Sequence, residues 1–171
     1  LSYGMLGMYG LAYANMAISN ADLIIALGMR FSDRATADVN SFAPHARIIH
    51  IDIDPAEIGK NVRIDVPIVG DVKRILESLN KRIIPTERNA WLDRLNDWKK
   101  KHPSLEIRDS NEVIPQYIIR QIYEATQGEA TIVTGVGQHQ MWAAQHYFYD
   151  KPNTFISSGG LGTMGFSLPA A

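Results

Sequence analysis

Apolar residues recur along this chain in two rhythms, short continuous runs and stripes at helical spacing, with Gly, Pro, Asn and Asp between them. Tyr13, Met16 and Ala17 fall at helical spacing within Ala12–Ser19, so a helix is expected there. Ala21–Gly28, ADLIIALG, is an unbroken apolar run between turn signals, the pattern of a buried parallel strand. Arg47–Ile53 is an isoleucine-rich strand that Pro55 cannot prolong. Ala56–Val62 reads as a short helix or turn, and Val66–Val69 as a short strand closed by Gly70 and Asp71. Val72, Ile75, Leu76 and Leu79 then place one apolar face on a helix over Val72–Arg82.

The rhythm breaks at Ile83–Ser110, where Pro85, Pro103 and a dense mixture of charges mark a linker. One helix interrupts it, with Trp91, Leu92, Leu95 and Trp98 on a face and Lys99–Lys101 at the dipole's negative end. His102, before Pro103, reads as a cap. A helix over Glu112–Ala125 follows, with Pro115 suited to its first turn. Thr131–Val133 is a strand, Gly135 and Gly137 a tight turn, and Met141–Tyr147 a helical run. Thr154–Ala171 repeats the grammar of strand, glycines and helix start. The expectation is an α/β protein of Rossmann-like, mostly parallel units, 1–82 and 111–171, joined by the linker 83–110.

Composition narrows the function classes. The 171 residues carry 17 Lys and Arg against 18 Asp and Glu, a net charge of −1. Without a basic cluster beyond Lys99–Lys101, nucleic acid is not an expected partner. There is no cysteine, which removes disulfides and thiolate metal sites. No apolar run approaches the roughly 18 residues of a membrane span, and no signal peptide is visible, so a cytoplasmic, non-membrane protein is expected. The chain opens in a Gly-rich loop and stops at Pro169-Ala170-Ala171, in the first turn of an expected helix. A piece of a longer polypeptide is the corresponding expectation.

The candidate chemistry sits where strands end. A strand–glycine–helix turn brings backbone N–H groups and a helix N-terminus to one point, where an anion is stabilised. Gln138 and His139 add side-chain donors at the first such turn, although an ordinary βα turn needs the same glycines. Gly159, Gly160, Gly162 and Gly165 make the second. Two adjacent units put both loops at the carboxyl edge of one sheet, where open α/β sheets bind ligands. In the first half, Asp52 at a strand end suits a ribose hydroxyl, or else caps the turn that follows together with Asp54. The glycine fingerprint of plain dinucleotide binding is absent.

The strings VTGVGQHQMWAAQ and SSGGLGTMGFSLPAA resemble the large catalytic subunit of acetolactate synthase (acetohydroxyacid synthase), a thiamine-diphosphate enzyme. LGMYG, ALGMRFSDR, HIDIDPAEIGKNV and PIVGD are similar to that family's FAD-binding segments. The resemblance covers nearly all of the chain except roughly 85–110. It implies the C-terminal part of an FAD-binding middle domain, followed by the first part of a thiamine-diphosphate-binding domain. It implies FAD contacts at Tyr9, Gly10, Gly28, Arg30, Arg34, Asp52, Ile53, Gly70 and Asp71, with FAD taking no part in the net reaction. Tyr9 stands where the family usually has histidine, and Ser32 where it often has aspartate.

The resemblance further assigns the diphosphate anchor to Gly137, Gln138 and His139. It assigns the bend of the cofactor to Met164, and acceptance from its aminopyrimidine amine to the Gly162 carbonyl. Without the resemblance, Met164 reads as a core methionine at a helix start. The family's catalytic glutamate and its magnesium-binding Gly-Asp-Gly segment have no counterpart in this stretch. No catalytic or metal-ligating residue is therefore expected here, and the stretch is expected to be inactive by itself. The activity implied is condensation of pyruvate with pyruvate or 2-oxobutyrate, with loss of carbon dioxide, in branched-chain amino-acid biosynthesis. Implied with it are thiamine diphosphate, Mg2+ and FAD, 2-keto acid substrates, and a homodimer or higher oligomer with its active site at a subunit interface. A regulatory small subunit completes the expected partners. Pyruvate oxidase or glyoxylate carboligase is the alternative within the class, and a non-catalytic nucleotide-binding module the alternative outside it.

Overall fold

A computed structural model describes residues 2–171. The chain forms two compact units, 1–104 and 105–171.

In the first unit the elements run α1 (Ala12–Ser19), β1 (Leu23–Leu27), α2 (Asp33–Thr36), β2 (Arg47–Asp52), β3 (Val66–Val69), α3 (Val72–Asn80) and α4 (Asn89–Lys101). The strands make one parallel sheet in the order β1-β2-β3. Leu27 pairs with Ile51, and Asp52 with Val69, so all three strands end along one edge. Ile24, Ala26, Phe31, Ala43, Ile48 and Val62 form the core on one face of the sheet.

Within this stretch of chain, the unbroken apolar run of β1 is covered on one face. Ile24 and Ala26 are buried, while Leu23, Ile25 and Leu27 are each more than 40% exposed. The strand lies at the edge of the sheet, and the core covers only the side to which Ile24 and Ala26 point.

The helix expected inside the linker packs within this first unit. α4 lies on α1: Arg94 donates to Asn20 Oδ1 at 2.8 Å, and the Lys99 ammonium stands 5.9 Å from the centre of the Tyr13 ring. Leu95 is buried, and Trp91 meets Trp98 edge-on at 5.9 Å. The spacing that aligned these apolar residues thus gives α4 the stripe it presents to the unit.

The second unit runs α5 (Pro115–Thr126), β4 (Ile132–Thr134), α6 (Gln138–His146), β5 (Phe155–Ser157) and α7 (Ser167–Ala170). Pro115 starts α5 as its sequence position suggests. Gln127 adopts the left-handed conformation at its end, and the Gly128 N–H donates to the Tyr123 carbonyl at 3.0 Å. β4 and β5 pair in parallel, from Ile132 with Phe155 to Thr134 with Ser157. The body of this unit is aromatic. Tyr147 is almost wholly buried, edge-on to Tyr123 and tilted against Tyr149, which in turn meets Phe155. Its hydroxyl shares a hydrogen bond with Thr126 Oγ1 and donates to the Ala130 carbonyl, which satisfies the one polar atom it buries. Among the described residues no helix is long and apolar enough to cross a membrane.

Candidate cofactor sites

The parallel register of the first sheet gathers five of the expected contacts at one edge. Gly28 follows β1, Asp52 closes β2 with Ile53 just after it, and Gly70 and Asp71 follow β3. Backbone bonds tie these ends together: the Gly28 N–H donates to the Ile51 carbonyl, and the Gly70 N–H to the Asp52 carbonyl, each at 2.8 Å. Ile53 is largely exposed beyond the edge. Asp71 already has a task, since its carboxylate caps α3 by accepting the Arg74 N–H at 3.0 Å.

Asp52 is buried, and its Oδ1 accepts the Asp54 N–H at 2.9 Å. Asp54 in turn accepts the Ala56 N–H at 2.9 Å. The turn-capping role open for this pair is therefore realised, while Oδ2 is left toward the sheet, 3.8 Å from His50 Nε2.

Beside this edge a cleft of about 620 Å³ is lined by Tyr9, Gly28, Met29, Ser32 and Arg34, with Ile25 and Leu27 of β1 on its wall. Arg34 Nη1 lies 3.3 Å from Met8 Sδ, and the Arg34 carbonyl accepts the Met8 N–H at 2.8 Å. The loop that carries Tyr9 is thus seated on α2. Arg30 is exposed outside the cleft, its carbonyl accepting from Asn61 Nδ2 at 2.9 Å. Gly10 closes a turn in which the Leu11 N–H reaches the Met5 carbonyl at 2.8 Å. A Cβ at Gly10 would collide with the Met5 and Leu6 backbone, so this glycine has a geometric reason independent of any ligand.

In the second unit, the pairing of Thr134 with Ser157 makes both glycine loops leave one sheet edge. Gly137 precedes α6 with φ +146°, a conformation that side chains disfavour, and no side chain caps the helix. Gln138 and His139 open the helix and are exposed. The His139 ring lies back over the turn, within 3.4 Å of where a Gly137 Cβ would stand. In the second loop the Gly162 N–H donates to the Ser158 carbonyl at 2.9 Å, and Ser158 Oγ accepts the Thr163 N–H at 3.0 Å. Met164 is exposed in this stretch of chain, as are Leu161 and Leu168.

Spacing gave no sign of the side chains that join the two loops. Ser157 Oγ accepts from Thr134 Oγ1 at 2.9 Å and from Gln140 Nε2 at 2.6 Å. The three come from β5, β4 and α6. The residue types are hydrogen-bonding, but only the strand register makes them meet.

These two glycine loops at one parallel edge, with an uncapped helix N-terminus between them, suit a diphosphate. Residues 1–79 match the family described as "Thiamine pyrophosphate enzyme, central domain", and residues 135–171 match "Thiamine pyrophosphate enzyme, C-terminal TPP binding domain". The chain belongs to the thiamine pyrophosphate enzymes. It is 51% identical over 178 residues to acetolactate synthase 1, chloroplastic, of Zea mays, with all of this chain and 28% of that protein covered. It is 50% identical over 177 residues to acetolactate synthase 1, chloroplastic, of Oryza sativa subsp. japonica, again covering all of this chain and 28% of the relative. Acetolactate synthase, chloroplastic, of Arabidopsis thaliana is 51% identical over 178 residues, which cover all of this chain and 26% of that protein. The chain therefore spans little more than a quarter of the length of these curated relatives. Among the described residues, no group of three or more His, Asp or Glu side chains is placed to hold a metal ion.

Proposed function

We propose that this chain is part of an enzyme with acetolactate synthase activity, which condenses pyruvate with pyruvate or 2-oxobutyrate and releases carbon dioxide. The observation that carries this reading is the identity of about half the residues with three acetolactate synthases along the whole of this chain. Thiamine diphosphate, when bound, supplies the electron sink for decarboxylation and carbon–carbon bond formation.

The residues present fit that cofactor. The uncapped start of α6 at Gly137, with Gln138 and His139, holds the diphosphate through backbone and side-chain donors. The exposed Met164 offers a soft apolar surface to the bend of the cofactor, and the Gly162 carbonyl accepts from its aminopyrimidine amine.

FAD is the second cofactor of this proposal, held by the first unit. Arg30 and Arg34 offer paired, permanently charged donors to its pyrophosphate. Tyr9 and Gly10 meet it from the opening loop, and Gly28, Gly70 and Asp71 let it approach the sheet edge. Asp52 meets its ribose, and Ile53 is a further contact. Magnesium, bound through residues other than these, and assembly into a homodimer or higher oligomer with a regulatory small subunit belong to the same proposal. So does the division into a middle domain over 1–82, a linker over 83–110 and a cofactor domain from 111.

The test is an assay of the full-length protein with pyruvate, thiamine diphosphate, magnesium and FAD. Acetolactate with one carbon dioxide released per condensation is expected. Oxygen consumption with acetyl phosphate as product would replace this reading with an oxidase, and absence of turnover together with flavin binding would leave a nucleotide-binding module.

A further inference from the structure

His50 is a fully buried residue of β2. Its ring stands edge-on to Phe31, with centroids 5.1 Å apart. Among the described residues, neither ring nitrogen has a hydrogen-bond partner. A buried imidazole in that state weakens a fold, whereas a phenyl ring of similar outline would keep the contact with Phe31 and bury no polar atom. Packing alone therefore does not account for a histidine at this position.

The geometry around Asp52 does. Asp52 lies two residues along the same strand and so points to the same face. Its Oδ1 is taken by the Asp54 N–H. Its Oδ2 faces His50 Nε2 at 3.8 Å, less than an ångström beyond hydrogen-bond reach. The carboxylate is thus held on one side by the turn and faced on the other by an imidazole without another partner.

We infer that His50 is a positioning residue for a ribose-bearing nucleotide at the carboxyl edge of the first sheet. In the tautomer with its proton on Nε2, the ring closes on Asp52 Oδ2 as the ligand seats. It fixes the carboxylate with its outward lone pairs toward the sugar hydroxyls. The inference rests on the proposed contact between Asp52 and ribose.

The experiment uses the full-length protein, with FAD affinity measured by fluorescence titration and thermal midpoints measured on the flavin-free form. His50→Phe is expected to weaken FAD at least about tenfold, the effect of losing one hydrogen bond to a charged group. Its flavin-free midpoint is expected to equal or exceed that of the parent. His50→Gln, which keeps an N–H donor, is expected to restore most of the affinity. His50→Phe combined with Asp52→Asn is expected to bind no more weakly than Asp52→Asn alone.

Normal FAD affinity in His50→Phe, with weakened affinity in Asp52→Asn, overturns this inference and leaves the Asp52 contact standing. Normal affinity in Asp52→Asn overturns the contact itself and the inference with it. A lowered midpoint or failure to fold in His50→Phe overturns it as well, because the ring would then serve packing. A glutamine variant as weak as the phenylalanine one, or additive losses in the double variant, would overturn the positioning role.

Discussion

Arg34 is a residue whose partner in this structure is weaker than the one its chemistry suits. Among the described residues its guanidinium reaches the thioether of Met8 alone, a poor acceptor, in a cleft also lined by Tyr9 and Ser32. A pyrophosphate would displace that contact with paired, charge-assisted bonds. Arg34→Ala in the full-length enzyme is expected to lower flavin affinity by about ten- to a hundredfold, as befits one or two such bonds. Flavin retained at the parent ratio after purification would remove Arg34 from the site. Gly10, by contrast, was legible from its neighbourhood in a Gly-rich loop, but the reason it must be glycine is the backbone of Met5 and Leu6, which no spacing reveals.

Between elements, the bond from Thr134 to Ser157 and that from Gln140 to Ser157 hold β4, β5 and α6 in one register at the place where both glycine loops depart. Ser157→Ala leaves Thr134 and Gln140 each without this partner. A destabilisation of about 1–3 kcal/mol is expected from a partly buried network broken on one side. Thiamine diphosphate affinity should fall with it, since the two loops lose their common anchor. Urea unfolding and cofactor titration of the full-length variant check the two effects. Unchanged values in both would show that strand pairing alone sets the loops. The elements themselves were readable where apolar spacing is strong, as in α3 and α4, which lie where their stripes place them. Which face of β1 meets the core of this unit was not readable, because a continuous apolar run does not distinguish its two faces.

For the molecule as a whole, the two compact units have different interiors, aliphatic in the first and aromatic in the second. The second also buries His146, whose Nδ1 has no hydrogen-bond partner among the described residues. Burial holds its pKa below the usual histidine value, and the nearby Arg120 charge adds in the same direction. The unfolded chain therefore takes up a proton at a pH where the folded chain still resists it. Stability contributed by the neutral ring is complete above about pH 6.5 and is lost as pH falls through the lower folded value. The thermal midpoint of the full-length protein is expected to fall on going from about pH 7.5 to about pH 5.5, and to fall less in His146→Phe. Equal slopes in parent and variant would assign the acid sensitivity to other groups.

Periodicity and turn chemistry were enough to specify the order of the strands and of the longer helices, though not the short α2, and the parallel character of both sheets, because these are set by local patterns of burial and by the residues that end each run. The long glycine-bearing strings were enough to point to thiamine pyrophosphate enzymes, since loops that approach a flat or charged ligand constrain many consecutive residues together. Pairings remote in sequence were beyond that reach. The meeting of Ser157 with Thr134, the seating of the Met8 loop on Arg34, and the placement of α4 against α1 arise from strand register and side-chain packing across many intervening residues. The burial of His50 against Asp52 belongs with them. Its spacing shows that the two share a strand face, but only the packing of Phe31 across that face removes the imidazole from water and leaves the carboxylate as its neighbour.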